Sequence, residues 1–434
     1  MNKTVTSFID NEYKSYSEYV LSSRSIPSCI DGLKVSQRKV LYTAIKSASN
    51  KKIKTSSLGG NCISLANYLH GPASLESAIP AMVAEWNNNI PLLDGEGSFG
   101  SRLINAPAAA RYTYSGLSNS FDKYFIDNDL LDNYQTLDAE DPVPKHYLPV
   151  IPWVLVNPIK GIAIGYATEI QPRDPKILKK LCIDYISGKN IDNRKCLPYF
   201  NNFKGSVYEN NGKYICRGKY EHISKTKIRI TEIPVGIERE RYIHILDKLD
   251  DNNDIVSYVD NCNKSGFDFT ITFKRHRNMT EARILKMFKL EKTLNENLTT
   301  IDENGKLKLF DNVIEIIKYF CTWRVQQYPI RYDYYIKRDM EQLDFLQDKL
   351  LFINSVNNHK IVLKNKTSAD IRSQALAISI KRKYITDLMN LRISSFSKES
   401  VDKLKLDIKN IMKDLKLWAS ANYIFQFTED LKRV

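Results

Sequence analysis

Helical spacing of apolar residues marks both ends of the chain. Val5, Phe8, Ile9, Tyr13, Tyr16, Tyr19 and Val20 predict one amphipathic helix over residues 1–23. Its stripe either packs on the chain itself or covers a dimer or partner contact. A second stripe, Val40, Leu41, Ala44, Ile45 and Ala48, follows Ser36, a residue suited to cap a helix. A short helix is predicted over 62–69. A third carries Leu75, Ala78, Ile79, Met82, Val83 and Trp86, with Ser74 as its cap and Pro80 expected to remove one backbone bond and bend it. Three short helices, two of them joined by a tight turn at Gly71, resemble a helix-turn-helix or winged helix.

The middle of the chain changes period. Short strand-like runs cover 154–156, 162–167, 204–208 and 213–218, the last two joined by Asn211-Gly212, a strong hairpin signal. Phe267, Phe269, Ile271 and Phe273 alternate with polar residues, as a half-buried strand does. Helical segments over 176–187, 239–249 and 280–289 intervene, giving a region of mixed α and β structure. Beyond it the chain is nearly all helical. Ile336, Met340, Leu343, Leu346, Leu350 and Ile353 form one stripe, and Val401, Leu404, Ile408, Ile411, Leu415 and Trp418 another. Two such stripes suit an antiparallel coiled coil with a small helical head between them, kinked at Pro329. Four regions follow: a helical arm over 1–23, a winged-helix region over 24–148, an α/β region over 149–325 and a coiled-coil region over 326–434.

Charge narrows the partners. The net charge of +14 over 434 residues favours a polyanion, nucleic acid before an acidic membrane surface. No apolar run has the length of a membrane span, and the first residues lack the apolar stretch of a signal peptide. Seven cysteines, scattered and odd in number, read as reduced thiols in a cytoplasm, without a zinc site or disulfide framework.

Candidate chemistry gathers at Pro107-Ala108-Ala109-Ala110-Arg111-Tyr112-Thr113-Tyr114. Small residues let a bulky ligand approach. Arg111 offers a planar cationic fork suited to phosphate, and Tyr112 a hydroxyl able to act as a nucleophile. The plain alternative is a helix turn with a buried ring, and Tyr114 is a rival nucleophile. Arg38 and Lys39 lie in the first turn of their helix, where cations oppose the helix dipole unless an anion sits there. Asp94-Gly95-Glu96-Gly97-Ser98-Phe99-Gly100 lacks the context of a nucleotide-binding loop and reads as a wing or a close backbone approach to DNA.

Four ordered motifs carry a family resemblance. They are Arg24-Ser25-Ile26-Pro27 with Asp31-Gly32-Leu33-Lys34 and Gln37-Arg38-Lys39; His70-Gly71 with Ser74-Leu75; the glycine-rich stretch 94–100; and Ala108-Ala109-Ala110-Arg111-Tyr112. Gly161-Ile162-Ala163-Ile164-Gly165-Tyr166 is a fifth. With them the chain resembles the breakage-rejoining subunit of type IIA DNA topoisomerases, gyrase A-like, with phage-encoded members as the nearest likeness.

The resemblance implies a fold and a set of roles. The fold would be a multidomain α+β chain: a winged-helix domain bearing the catalytic tyrosine, an α/β tower and an antiparallel coiled coil ending in a helical dimerisation gate. Tyr112 would attack a DNA phosphodiester and hold the 5′ phosphate, with Arg111 stabilising charge on it. Arg24 and His70 would lie closest to that phosphate, with Lys34, Arg38 and Lys39 along the bound duplex. Ile162 would wedge between base pairs, and Ser74 matches a position where quinolone-like drugs bind.

Departures and absences matter as well. Leu69 replaces a histidine common in the family. No acidic cluster matches the family's metal site, Asp127-Asn128-Asp129 reading as a turn, and no ATP motif is evident. Mg²⁺ and ATP are therefore expected on a separate large subunit, around a homodimer of this chain. Without a DNA-wrapping domain, relaxation or decatenation is expected over supercoiling. The competing readings are a non-enzymatic basic DNA-binding scaffold, in which Tyr112 is packing, and a tyrosine recombinase, whose scattered Arg–His–Arg pattern does not precede Tyr112.

Overall fold

The computed structural model describes residues 5–133, 142–193, 196–274, 280–420 and 422–434. The first four residues of the predicted arm lie outside the described residues. The chain forms two compact units, Met1–Arg324 with Thr428–Val434, and Val325–Phe427. It mixes helices with short antiparallel sheets throughout the first unit and is all helical in the second. Among the described residues no helix is long and apolar enough to cross a membrane. All seven cysteines are free thiols.

The arm is helical, with α1 (Val5–Phe8) and α2 (Lys14–Val20) each followed by a π-turn, Ile9–Tyr13 and Leu21–Ser25. Most of its apolar stripe is open: Phe8, Ile9, Tyr13, Tyr16 and Tyr19 are all exposed, while Val20 is half-buried.

Next come α3 (Val35–Ser47), β1 (Ile53–Lys54), α4 (Thr55–Leu65), α5 (Pro72–Val83), β2 (Leu93–Glu96), β3 (Tyr114–Leu117) and α6 (Asn119–Tyr124). The three helices bury Val40, Leu41, Ala44, Leu58, Cys62, Leu75 and Ile79 against one another. The strands form one antiparallel sheet in the order β1-β3-β2.

Helix starts differ from the sequence expectation. The α3 cap is Lys34, whose backbone amide donates to the Gln37 side chain at 3.0 Å, so Ser36 lies inside the helix. Helix α4 begins at Thr55 and ends at Leu65, several residues before the predicted 62–69. The α5 cap is Gly71, and Pro72 takes the first helical position, where a missing amide costs nothing. Ser74 is therefore within the helix and not its cap. Pro80 does not end α5, which runs on to Val83. Trp86 lies past that end and donates from its indole nitrogen to the Phe99 carbonyl at 3.0 Å.

The next region holds β4 (Ile159–Ile162), β5 (Ala167–Ile170), α7 (Pro175–Ile186), β6 (Ser206–Asn210), β7 (Lys213–Arg217), β8 (Lys219–Ser224), β9 (Lys227–Glu232), α8 (Arg239–Asp251), β10 (Ser257–Asp260), β11 (Phe269–Thr272), α9 (Glu281–Met287), β12 (Glu291–Leu294), β13 (Thr299–Ile301) and β14 (Leu307–Leu309). Its larger sheets run β10-β11-β9-β8 and β12-β7-β6, with two-stranded pairs β4-β5 and β13-β14. Asn210 pairs with Lys213 across the predicted two-residue turn. Asn211 at φ 50° and Gly212 at φ 74° supply the two left-handed residues that match strand twist. Phe267, Phe269, Ile271 and Phe273 point into a core shared with Tyr242, Leu246, Ile284 and Phe288.

Two predicted strands are something else. Trp153–Leu155 is a buried 3₁₀ turn, and the apolar run 162–167 is the tip joining β4 to β5.

Helix α10 (Val313–Asn357) is 45 residues long and continues through Pro329. Helices α11 (Ser368–Ala377) and α12 (Ile385–Met389) bury Ala375, Ile385 and Leu388 against Phe352 and Ile361. Helix α13 (Lys398–Ala419) returns along α10: Val401 and Leu404 cluster with Ile353, while Trp418 packs on Tyr332 and Tyr335. Pairing the start of one helix with the end of the other makes them antiparallel. Helix α14 (Tyr423–Arg433) ends the chain.

Candidate active site

Small residues deliver Tyr112 to the surface. The Ala108 amide donates to the Ser98 carbonyl at 2.9 Å, and a turn closes with the Tyr112 amide on the Ala109 carbonyl at 2.9 Å. Two bonds pin this turn to the start of α4: Thr55 N–H to the Thr113 carbonyl at 2.9 Å and Ser56 N–H to the Ala110 carbonyl at 3.2 Å. Beneath it lies a buried hydroxyl network. Thr113 Oγ1 donates to Thr55 Oγ1 at 2.9 Å, and Thr55 Oγ1 bonds Ser115 Oγ at 2.7 Å.

With Thr113 and Ser115 turned inward, strand alternation sends Tyr114 outward and leaves Tyr112 67% exposed on the turn. The Arg111 guanidinium stacks on the Tyr112 ring, 4.7 Å from its centroid. The segment is thus neither a helix turn nor a site of ring burial. It presents a phenol and a guanidinium together on a braced turn. Tyr114 is also exposed but belongs to β3, where it pairs with Lys54 and Glu96.

A second cluster joins Arg24, Lys39 and His70. Partial burial, then the nearby charges of Arg24 and Lys39, hold the His70 pKa below its ordinary value, so the ring stays neutral at neutral pH. Tyr19 of the arm meets His70 Nε2 at 3.3 Å, and Tyr68 packs edge-on against the same ring. Arg24 and His70 are open to solvent. Lys39 is mostly buried, and its ammonium donates to the Asn67 carbonyl at 2.9 Å. Ser74 is exposed near the start of α5, its hydroxyl bonded to Tyr68 Oη at 2.7 Å. Leu69 is 77% exposed beside this cluster, an apolar side chain where the family resemblance anticipates a histidine.

Arg38 departs from its expected role. It is 3% exposed, and its fork is taken by Asp31 at 2.7 and 2.9 Å and by the Leu33 carbonyl at 3.2 Å. A cation in the first turn of α3 is tolerated because a buried carboxylate faces it, so no external anion is required. Lys34 is also engaged, its ammonium donating to the Lys160 carbonyl at 2.8 Å. Ile162 is 76% exposed at the tip of the β4–β5 hairpin, with Tyr166 open beside it. It is not a core residue.

The glycine-rich stretch serves packing. A methyl group on Gly95 would collide with the Phe99 ring and with Val83, so strand β2 closes on its own loop there. No group of three or more metal-ligating side chains occurs among the described residues. Asp127 is buried and paired with Arg324, so its carboxylate is not offered to a cation. The hydroxyl network and the Tyr19–His70 contact carry no sequence signal, because threonine, serine and tyrosine at those spacings are common on any surface or core.

Residues 24–426 match the family of A subunits of DNA gyrase/topoisomerase IV. The chain is 34% identical to the DNA topoisomerase medium subunit of Enterobacteria phage T4, over all of this chain and 99% of that protein. It is 30% identical to the mitochondrial DNA topoisomerase 2 of Dictyostelium discoideum, over 99% of this chain but 35% of that protein, so it spans about a third of that relative. The crystal structure of the Plasmodium falciparum topoisomerase II DNA-binding, cleavage and re-ligation domain superposes with a TM-score of 0.89 at 27% identity, covering 98% of this chain and 63% of that one. The chain belongs to the A-subunit family of DNA gyrase and topoisomerase IV and is an enzyme subunit of the type II DNA topoisomerases.

Proposed function

We propose that this chain cleaves and reseals duplex DNA within an ATP-dependent type II topoisomerase, with Tyr112 as the nucleophile. The observation that carries the reading is the exposed Tyr112 phenol with Arg111 stacked on it, on a turn pinned to α4. The Tyr112 oxygen forms a bond to a backbone phosphorus as the bond to the 3′ oxygen breaks. The phenol loses its proton and the 3′ oxygen leaves as a hydroxyl, so the 5′ phosphate stays on the protein; the reverse step reseals the strand. Arg111 and Arg24 balance charge on the phosphate. Neutral His70 donates or accepts a hydrogen bond beside it, and Ile162 enters the base stack to bend the duplex.

The helices α3 to α5 with the sheet β1-β3-β2 read as a winged-helix domain, and β4 to β14 with α7 to α9 as a tower. Helices α10 and α13 read as a coiled coil, with the α11–α12 head as a dimerisation gate. Cutting both strands takes two tyrosines, hence a homodimer. In this reading Mg²⁺ and ATP belong to a large partner subunit. The complex would act in the host cytoplasm if the chain is phage-encoded. The scaffold reading requires Tyr112 to be packing, and its exposure runs against that. Trapping DNA with detergent after incubation with Mg²⁺ and the partner subunit tests the proposal: a 5′-linked adduct supports it, and DNA retention without an adduct contradicts it.

A further inference from the structure

The Ile162 hairpin and the segment bearing Arg24 are fastened together at three places. Gly161, in β4, lies against the Ser25 carbonyl so closely that a methyl group there would land on that oxygen. Lys34, at the cap of α3, donates from its ammonium to the Lys160 carbonyl at 2.8 Å. A shared strand makes the third tie. Asn297 exchanges backbone bonds with Glu169 of β5 at 2.8 and 3.0 Å, and four residues on Ile301 bonds Pro27 and Cys29 at 2.9 and 2.8 Å. The side chain meant to enter the base stack and the arginine at the reacting phosphate are therefore held in one register by backbone contacts.

We propose that Lys34 and Gly161 are positioning residues that lock the wedge hairpin to the Arg24 segment, so that bending of the duplex by Ile162 sets Arg24 at the phosphate to be cut. This rests on the roles given above to Tyr112, Arg24 and Ile162. It moves Lys34 from the DNA surface to the internal framework. The Lys34 ammonium spends one of its three donors on the hairpin at 2.8 Å, and burial holds its pKa below the ordinary value. Gly161 admits no other residue without displacing the hairpin, since its neighbour is backbone and cannot swing away.

The test uses the chain assembled with its ATPase subunit, on a duplex carrying a donor and an acceptor dye across its centre. Energy transfer reads bending, and detergent-trapped adduct reads cleavage. Lys34→Met is expected to leave affinity, its salt dependence and bending unchanged while adduct falls about tenfold, within what a misplacement below an ångström costs. Lys34→Arg, which retains a donor, should restore most of the loss. Gly161→Ala, which displaces the hairpin, should lower adduct further than Lys34→Met does, with melting temperature recorded for both. Ile162→Ala should lose bending itself.

A Lys34→Met variant whose log K against log salt slope drops by about one, with adduct falling only as far as binding does, would make Lys34 a phosphate contact and overturn the proposal. Unchanged adduct would overturn it as well. Failure of the underlying reading looks different, since the unmodified assembly would then form no Tyr112-dependent adduct at all.

Discussion

Arg38 and Asp31 form a buried ion pair, the guanidinium Nε 2.7 Å from one carboxylate oxygen and a terminal nitrogen 2.9 Å from the other. The same carboxylate accepts the amides of Leu33 at 3.0 Å and Tyr147 at 3.0 Å. Asp31 thus ties the start of α3 to the segment around Tyr147, and Arg38 neutralises it. Removing one partner strands the other in a dry site. Arg38→Met should cost about 3–5 kcal/mol in chemical denaturation, while the DNA affinity of protein that remains folded stays close to that of the parent chain. A large affinity loss without loss of stability would return Arg38 to the DNA surface.

His146 makes stability depend on pH. It is buried, edge-on to the Trp323 ring at 5.1 Å, with the charges of Asp31, Arg38 and Lys145 around it. Burial is the main cause that lowers its pKa from 6.5 to about 4. The fold holds the neutral ring, so this contribution is complete above pH 6.5 and is lost as pH falls toward 4. Unfolding free energies from urea titrations across that window should decline by up to about 3 kcal/mol, and a His146→Gln variant should decline less.

The hydroxyl network under Tyr112 should matter for turnover as well as stability. Thr55→Val leaves Thr113 and Ser115 without their partner, at about 1–3 kcal/mol, and loosens the turn that presents the phenol. Adduct formation should fall further than DNA binding. Equal losses in both would mean that the network supports the fold alone.

Leu69 offers a gain-of-function check. It is exposed beside Arg24 and His70, where it makes no polar contact. Leu69→His should tighten DNA binding a few-fold at low salt, an effect of about 1 kcal/mol or less, and the gain should shrink as salt rises.

Much of the fold is legible in the sequence because its signals are local. Asn211-Gly212 predicts a hairpin whichever chain surrounds it, and the alternation from Phe267 to Phe273 has one buried face. The sequence pattern puts α4 too late because Gly59 and Gly60 argue against a helix, whereas packing of its Leu58 and Cys62 into the helical core decides for one. The buried run at Val154 resembles a strand because a short apolar stretch carries no period.

At the site, residue type indicates which side chains carry charge but not where each charge is spent. Arg24 and Arg38 read alike in sequence, yet one faces solvent and the other faces Asp31, seven positions upstream across the Gly32 turn. The arm is the reverse case, its stripe legible and its face left open.

The most direct test is Tyr112→Phe in the full assembly, with Tyr114→Phe beside it. The predicted result is DNA binding unchanged and the 5′-linked adduct abolished for Tyr112→Phe, with adduct retained for Tyr114→Phe. Persistent cleavage by the Tyr112→Phe assembly would contradict the assignment of Tyr112 as the nucleophile.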